Sequence, residues 1–140
     1  MNAQALAALH ARCFTIPPPW SAESFAASLA DLACHLEVTG PAPTGFALFR
    51  LVLDEAELLT LAVAPEARRA GVGRALLSRG LEAMRRKGAQ RCYLEVAASN
   101  APAIALYHAT GFRECARRPG YYCSKGHAPC DALVFQAVLD

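Results

Sequence analysis

The stretch that most constrains the fold spans residues 58–87 and predicts a strand, a tight turn and a helix. The apolar run at its start is long enough for a strand and stops at Pro65, which cannot donate to a β-ladder. After the turn, apolar residues recur at helical spacing. The predicted apolar face comprises Val72, Leu76, Leu77, Gly80, Leu81 and Met84. Gly88, following three cationic residues, marks the end of this helix.

The turn before this helix has the properties of an anion site. The first amides of a helix lack internal partners and lie at the positive end of its dipole. Gly71 and Gly73 allow a ligand to approach the backbone closely, and Arg68, Arg69 and Arg74 add charged donors. A phosphate-bearing ligand fits this turn. A tight turn with solvated arginines fits equally well, and these residues alone do not decide between the two.

Two common phosphate-binding motifs are excluded by the residues that follow the glycines. A dinucleotide fingerprint requires a third glycine three positions after Gly73, where this chain has Leu76. A nucleoside-triphosphate loop requires Gly-Lys-Ser/Thr, whereas Gly73 is followed by Arg74 and Ala75.

Length and composition bound the class of protein. The 140 residues predict one domain, 1–140. A hydrophobic content of 54% favours a compact globule, and no apolar run approaches the ~20 residues of a membrane span. No basic segment precedes an apolar run at the N-terminus, so a cytoplasmic location is expected. A net charge of +2 does not indicate nucleic-acid binding.

The six cysteines include no Cys-x-x-Cys pair and are expected to be reduced thiols. Cys123, His127 and Cys130 are the residues nearest to a metal-ligand cluster. Their spacing fits no common zinc pattern and no fourth ligand is evident, so no metal is predicted.

Two helices are predicted at the start of the chain. The first spans residues 3–14, with His10 as a partly buried helix residue without an evident partner. Ser21 is predicted to cap the second helix. Its predicted apolar face comprises Phe25, Leu29 and Leu32.

Six segments are predicted to be strands: 35–39, 46–53, 57–63, 91–96, 112–118 and 131–139. Short loops join the first three, with a turn at residues 40–45, which indicates an antiparallel meander. The helical crossover indicates that the third and fourth strands run parallel. A last helix is predicted from Pro102, capped by Ser99 or Asn100 and ending at Gly111. The fold class is therefore α/β (α+β), with a mixed, mostly antiparallel sheet and about four helices.

Glu95 lies on the fourth predicted strand. Cys92, Leu94 and Val96 point to one face of that strand, and Tyr93 and Glu95 point to the other. A carboxylate at such a position is either a paired structural residue or a functional proton acceptor. Position alone leaves both interpretations open.

Two motifs together resemble a known family. Arg68-x-x-Gly71-x-Gly73 resembles the pyrophosphate loop of the Gcn5-related N-acetyltransferases (GNAT), in which the preceding strand binds the pantetheine arm of acetyl-CoA. The pattern Leu94-Glu95-Val96-x-x-Ser99-Asn100-x-x-Ala103-x-x-Leu106-Tyr107-x-x-x-Gly111-Phe112 resembles the second conserved block of the RimI-type members. Residues 19–21, 54–56, 121–122 and 131–132 also resemble this family. The resemblance implies the GNAT fold, with a splayed parallel strand pair.

The resemblance also implies roles for individual residues. Glu95 matches the general base and Tyr107 the general acid. The implied acetyl-CoA contacts are Leu61, Ala62 and Val63 for pantetheine; Arg69, Ala70, Gly71, Val72, Gly73 and Arg74 for pyrophosphate; and Asn100. Trp20 and Tyr121 match the substrate groove, although core packing explains them equally well.

The implied activity is direct transfer of an acetyl group from acetyl-CoA to a protein N-terminal α-amine, as in RimI-type enzymes, which acetylate the N-terminal alanine of a small-subunit ribosomal protein. Another amine acceptor, a non-catalytic acyl-CoA-binding module, and nucleic-acid binding through residues 85–87 and 117–118 are the alternatives. The chain departs from the family in having no strand before the first helix, Ala97 in place of arginine, and Gly120 in place of asparagine.

Overall fold

The computed structural model describes residues 1–15, 17–39, 44–123, 126 and 128–139. The helices are α1 (Ala3–Cys13), α2 (Ala22–Ala30), α3 (Val72–Arg86) and α4 (Ala101–Ala109), with a 3₁₀ turn at Pro65–Ala67. The strands are β1 (Cys34–Val38), β2 (Gly45–Val52), β3 (Glu55–Val63), β4 (Arg91–Ala97), β5 (Arg113–Tyr122) and β6 (Cys130–Val138).

The strands form a single mixed sheet in the order β1-β2-β3-β4-β6-β5. The predicted meander of β1, β2 and β3 and the predicted parallel pair of β3 and β4 are both confirmed. The prediction for β5 was too short, because this strand continues past residue 118 to Tyr122. Of the turn predicted at residues 40–45, residues 40–43 lie outside the described part of the chain.

The sheet separates two apolar clusters. One lies on the side of α3 and α4, and the other on the side of α1 and α2. Along β2, Ala47 and Phe49 belong to the first cluster, whereas Phe46 and Leu48 belong to the second. This alternation is the two-residue period of a strand that is buried on both faces.

Close packing of α3 against β2 depends on Gly80. A Cβ atom at this position would lie 2.0 Å from Cε2 of Phe49, a side chain with no exposed surface. The predicted apolar face of α3 is confirmed by the burial of Leu76, Leu77, Gly80 and Met84. Gly80 therefore sets the distance between the helix and the sheet.

The structure corrects the prediction for His10. This side chain is only 1% exposed and has two partners. The amide of Trp20 donates to Nδ1 over 3.0 Å, so Nε2 carries the proton and donates to Oγ1 of Thr60 over 2.7 Å. Burial lowers the pKa of His10 to about 4. His10 therefore joins α1 to β3 as a neutral residue.

The predicted apolar face of α2 is wrong in part. Phe25 is buried, but Leu29 and Leu32 are 41% and 101% exposed. The helix ends at Ala30, and the Asp31 carboxylate accepts from the amide of Ala33 over 2.9 Å. This turn directs the chain toward β1, so Leu32 leaves the helix before it can contribute to the buried face.

Candidate active site

The site is organised by an opening between the parallel strands β3 and β4. They pair only from Glu55 to Glu57 on β3 and from Arg91 to Tyr93 on β4. Beyond these pairs β3 continues to Val63 and β4 to Ala97 with no ladder between them. The prediction of a splayed pair is confirmed, and the separation leaves backbone groups facing a cleft.

A β-bulge in β3 contributes to this separation. Leu48 pairs with Thr60 while the next residue, Phe49, pairs with Leu58, so Leu59 is an extra residue. A bulge bends its strand and increases the local twist. After the bulge, Leu61 and Val63 pack on the α3–α4 side of the sheet, while Thr60 and Ala62 are buried.

The loop before α3 has the backbone of an anion site. Arg69 and Gly71 both have positive φ, 65° and 77°, and α3 begins at Val72 without a side-chain cap. Left-handed residues beside a helix start form a concave array of amides. Gly73 lies against α4, since a Cβ there would be 3.3 Å from Leu106. Arg69 and Arg74 are exposed beside these amides.

The end of β3 is fixed against this loop by its last carbonyl. The carbonyl of Val63 accepts from Nε of Arg68 over 3.1 Å and from the thiol of Cys13 over 3.4 Å. Arg12 on α1 also pairs with Glu66 in the 3₁₀ turn. Helix α1 therefore holds the junction between the strand and the anion loop from the opposite side of the sheet.

Glu95 projects from β4 on the face opposite the α3–α4 cluster. Its side chain is 28% exposed, and Oε1 lies 3.2 Å from Nη2 of Arg118 on β5. Glu57 on β3 is a second carboxylate near it. Burial, followed by the charge of Glu95, raises the pKa of Glu57. The two carboxylates are thus close to two arginines, with Arg118 paired to Glu95 and Arg50 near Glu57.

Tyr107 lies on the other side of the sheet, packed in the α3–α4 cluster against Phe112 and Phe135. Burial raises its pKa, with smaller contributions from Cys92 and Tyr122. Burial and then the charge of Glu95 raise the pKa of Tyr122 to about 12. Tyr122 is therefore close to both predicted catalytic residues, which lie on opposite faces of the sheet.

Asn100 caps α4. Its Oδ1 accepts from the amide of Ala103 over 3.3 Å, and proline occupies the first turn. The predicted capping role is confirmed for Asn100. Its contact with a cofactor stays a prediction. The capping bond engages only the side-chain oxygen, so the side-chain nitrogen could donate to a cofactor.

An irregular segment of β5 arranges several residues in a way that the sequence did not predict. Arg118 pairs with Ala132, and the next pair joins Tyr122 to Cys130, so β5 carries two extra residues here. Asp131 accepts from the amide of Gly120 and from Arg117, each over 2.8 Å. The Gly120 bond and then Arg117 lower the pKa of Asp131.

Gly120 has φ 60°, a conformation that glycine and asparagine tolerate best. This explains how glycine can stand where the resembling family has asparagine. The presence of paired tyrosines and of Asp131 was visible in the sequence. The hydrogen bonds by which Asp131 shapes β5 could not be predicted, because they depend on strand register.

The two residues matched to a substrate groove differ in their surroundings. Trp20 packs against Phe25 and His10, with ring centroids 5.1 and 6.0 Å apart, which supports the core-packing interpretation. Tyr121 is 53% exposed, and the guanidinium of Arg118 lies 4.7 Å from its ring centroid. Of the two residues, Tyr121 is therefore the exposed one, and it lies against Arg118, which pairs with Glu95.

Within the described ranges, no three His, Cys, Asp or Glu residues are grouped so that they could hold a metal ion. His127 lies outside those ranges. No helix in the described part of the chain is long and apolar enough to span a membrane.

Sequence comparisons identify close relatives. A family model described as the acetyltransferase (GNAT) family matches residues 3–112. The ribosomal protein bS18-alanine N-acetyltransferase of Escherichia coli K12 is 41% identical over 105 residues, which cover 74% of this chain and 71% of the relative.

Structural comparisons agree. The crystal structure of the ribosomal-protein-S18-alanine N-acetyltransferase from Escherichia coli matches with a TM-score of 0.89 at 33% identity, over 99% of this chain and 88% of that chain. Nourseothricin acetyltransferase matches with a TM-score of 0.71 at 30% identity, over 79% of this chain and 68% of that chain. These matches confirm the predicted fold, and the chain belongs to the GNAT family of acetyltransferases.

Proposed function

We propose that this protein transfers the acetyl group of acetyl-CoA to the N-terminal α-amine of a protein, with the N-terminal alanine of a small-subunit ribosomal protein as acceptor. The observation that carries the proposal is the opening between β3 and β4, beside which Glu95 lies on one face of the sheet and Tyr107 on the other. The names of the sequence and structural relatives from Escherichia coli support this acceptor. An acceptor on the ribosome implies a cytoplasmic location.

Acetyl-CoA fits the opening through backbone groups. The pantetheine amides would pair with the free edge of β3 at Leu61, Ala62 and Val63, like an added strand. The pyrophosphate would rest on the amides of residues 71–74, beside Arg69 and Arg74. The positive φ values of Arg69 and Gly71 support this placement, because they turn the loop amides toward a common centre. Asn100 would add a further contact at the start of α4.

The acceptor amine must lose a proton before it attacks. A protein α-amine has a pKa of about 7.7–8.0 and is mostly protonated at neutral pH. Glu95 accepts that proton, directly or through one water. The amine nitrogen then bonds to the thioester carbon, and a β3 amide near Leu61 or Ala62 donates to the resulting oxyanion.

Collapse of this intermediate breaks the carbon–sulfur bond. Tyr107 donates its phenolic proton to the departing thiolate of coenzyme A, and the second proton lost by the attacking nitrogen as the amide forms restores the phenol. The raised pKa of Tyr107 keeps this proton in place at neutral pH. The acetyl group passes directly to the amine in a ternary complex, so no cysteine of this chain has a covalent role.

The proposal is tested by incubating the purified protein with labelled acetyl-CoA and three acceptors. These are a peptide with the N-terminal sequence of ribosomal protein bS18, a peptide with a blocked N-terminus and an internal lysine, and spermidine. Mass spectrometry then locates the acetyl group. The proposal predicts acetylation of the first peptide at its α-amine. Acetylation of only lysine or spermidine would reassign the acceptor, and tight CoA binding without turnover on any amine would indicate a binding module.

A further inference from the structure

Arg118 makes two contacts beside the opening, one with Glu95 and one with Tyr121. Its guanidinium pairs with the Glu95 carboxylate over 3.2 Å and lies 4.7 Å from the ring centroid of Tyr121. The Arg118 side chain is 51% exposed, whereas that of Glu95 is 28% exposed. The pair therefore joins a solvent-accessible cation to a more enclosed carboxylate.

Strand register explains how two residues on non-adjacent strands meet. Ala132 on β6 pairs with Arg118 on one side and with Ala97 on the other, and Glu95 pairs with Val134. Paired residues point to the same face, and so do residues two positions apart. Arg118 and Glu95 therefore share a face. The long arginine side chain reaches Glu95 across β6, where Ala132 is small.

The neighbouring arginine is bound differently. Arg117 pairs with Asp131, whose other oxygen accepts from the amide of Gly120. That bond supports the irregular segment of β5 and points away from Glu95, because adjacent residues of a strand face opposite sides. Of the two arginines, only Arg118 is available to respond to a ligand at Glu95.

The charges at the site favour replacement of the Arg118 guanidinium at Glu95 by another cation, such as a protonated amine. Glu57 and Glu95 supply two carboxylates, and Arg118 is the cation paired with Glu95. Arg50, which pairs with Asp31, is a second cation near Glu57. The phenols of Tyr121 and Tyr122 lie beside them. A protonated amine carries the same charge as a guanidinium and also donates hydrogen bonds to carboxylates. An ion pair this exposed is weak, so the exchange has a small free-energy cost.

We propose that Arg118 is a resident counter-ion of Glu95 and that the protonated acceptor amine displaces it before losing its proton. This inference rests on the proposed function, in which Glu95 receives the proton of the acceptor. Arg118 then competes with the acceptor for the carboxylate. It is a positioning residue that sets how strongly an amine must bind to reach Glu95, and it takes no part in the bond-making steps.

Steady-state kinetics of Arg118→Ala, with Arg117→Ala as the matched control, tests the competition. Removing Arg118 should lower the KM for the acceptor by about two- to fivefold, the range expected of an exposed ion pair. The kcat and the KM for acetyl-CoA should be nearly unchanged. Arg118→Lys, which keeps the charge, should restore the acceptor KM toward the wild-type value. An acceptor KM that is unchanged or raised in Arg118→Ala would overturn the proposal.

A binding experiment separates this inference from the proposed function. The Nε–H signal of Arg118, assigned by its loss in Arg118→Ala, is followed by ¹⁵N NMR while alaninamide is added to the protein–CoA complex. Displacement predicts a saturable shift of that signal and no matching shift for Arg117. A signal that stays fixed through the titration overturns the displacement even if the enzyme acetylates N-termini. A saturable shift without turnover on any amine would instead overturn the proposed function and retain the exchange.

Discussion

The two sides of the opening, on β3 and on β4, present different chemical groups. On the β3 side the proposed contacts with acetyl-CoA come from backbone amides, left-handed residues and glycines, within residues 61–74. On the β4 side the groups are charged or phenolic side chains from β4, β5 and α4, such as Glu95, Arg118 and Tyr107. The first side should be sensitive to backbone conformation and space, and the second to the loss of single polar atoms.

The largest effect is expected on the second side, from Glu95→Gln. Loss of the proton acceptor should lower kcat by about 10³-fold, and the fall in rate toward low pH should disappear from what activity remains. Glu57→Gln is the matched control, since it removes the neighbouring carboxylate and should retain that acidic limb. A pH–rate profile with the same acidic limb in Glu95→Gln would remove Glu95 from the mechanism.

Tyr107→Phe removes a single oxygen from the other catalytic position. We expect kcat to fall by about 10²-fold, because the thiolate leaves without its proton donor. Affinity for acetyl-CoA, measured by calorimetry, should be nearly unchanged. Tyr93→Phe provides the control, and wild-type turnover by Tyr107→Phe would show that another group is the acid.

The α1–α2 side of the sheet should respond to pH through His10. Its folded pKa of about 4 lies below the ordinary 6.5, so between these values the unfolded chain binds a proton that the folded chain does not. Stability should therefore fall as pH drops from 6.5 to 4, by on the order of 1 kcal/mol per pH unit. Urea unfolding of the wild type and of His10→Gln across this range measures the effect. Equal pH slopes for the two proteins would contradict it.

The α3–α4 side of the sheet should instead be sensitive to side-chain volume. Alanine usually stabilises a helix relative to glycine, but Gly80→Ala places a methyl group against buried Phe49. Overpacking should prevail and lower the unfolding free energy by about 1–3 kcal/mol. Denaturant unfolding measures this loss. Ser78→Ala, at an exposed position of α3, is the control, and a gain in stability for Gly80→Ala would show that the helix can shift.

A comparison of two glycines tests whether the backbone of the anion loop on the β3 side binds acetyl-CoA. Gly71 and Gly88 both have positive φ and open space for a Cβ, so alanine should strain each alike, by about 1–2 kcal/mol. Only Gly71→Ala should also weaken acetyl-CoA binding, by about five- to tenfold, because it alone changes the anion loop. Calorimetry on both variants is decisive, and equal affinities would argue against a pyrophosphate at this loop.

The same contrast decides what could be predicted from the sequence. Local backbone patterns could be predicted, whereas side-chain contacts between distant elements could not. The strand, turn and helix around Gly71 and the cap at Asn100 are local patterns, and the structure confirms them. The parallel pairing of β3 and β4 followed from one helical crossover. These features depend on residues close together in the chain.

The incorrect or missed features depend on distant residues. Leu32 is the exception, because the turn between Asp31 and Ala33 that takes it away from the buried face of α2 is local. His10 was assigned no partner, because Thr60 lies on another element. The pair of Glu95 and Arg118 requires the register of three strands and an irregular β5, which no local pattern encodes.

Ribosomal proteins from cells with and without this protein provide the most direct test of the central claim. Mass spectrometry of the N-termini should show a small-subunit protein whose N-terminal alanine is acetylated in the presence of the wild type. The same terminus should be unmodified when the protein is absent or replaced by Tyr107→Phe. Identical N-terminal acetylation in all three cases would contradict the proposed acceptor.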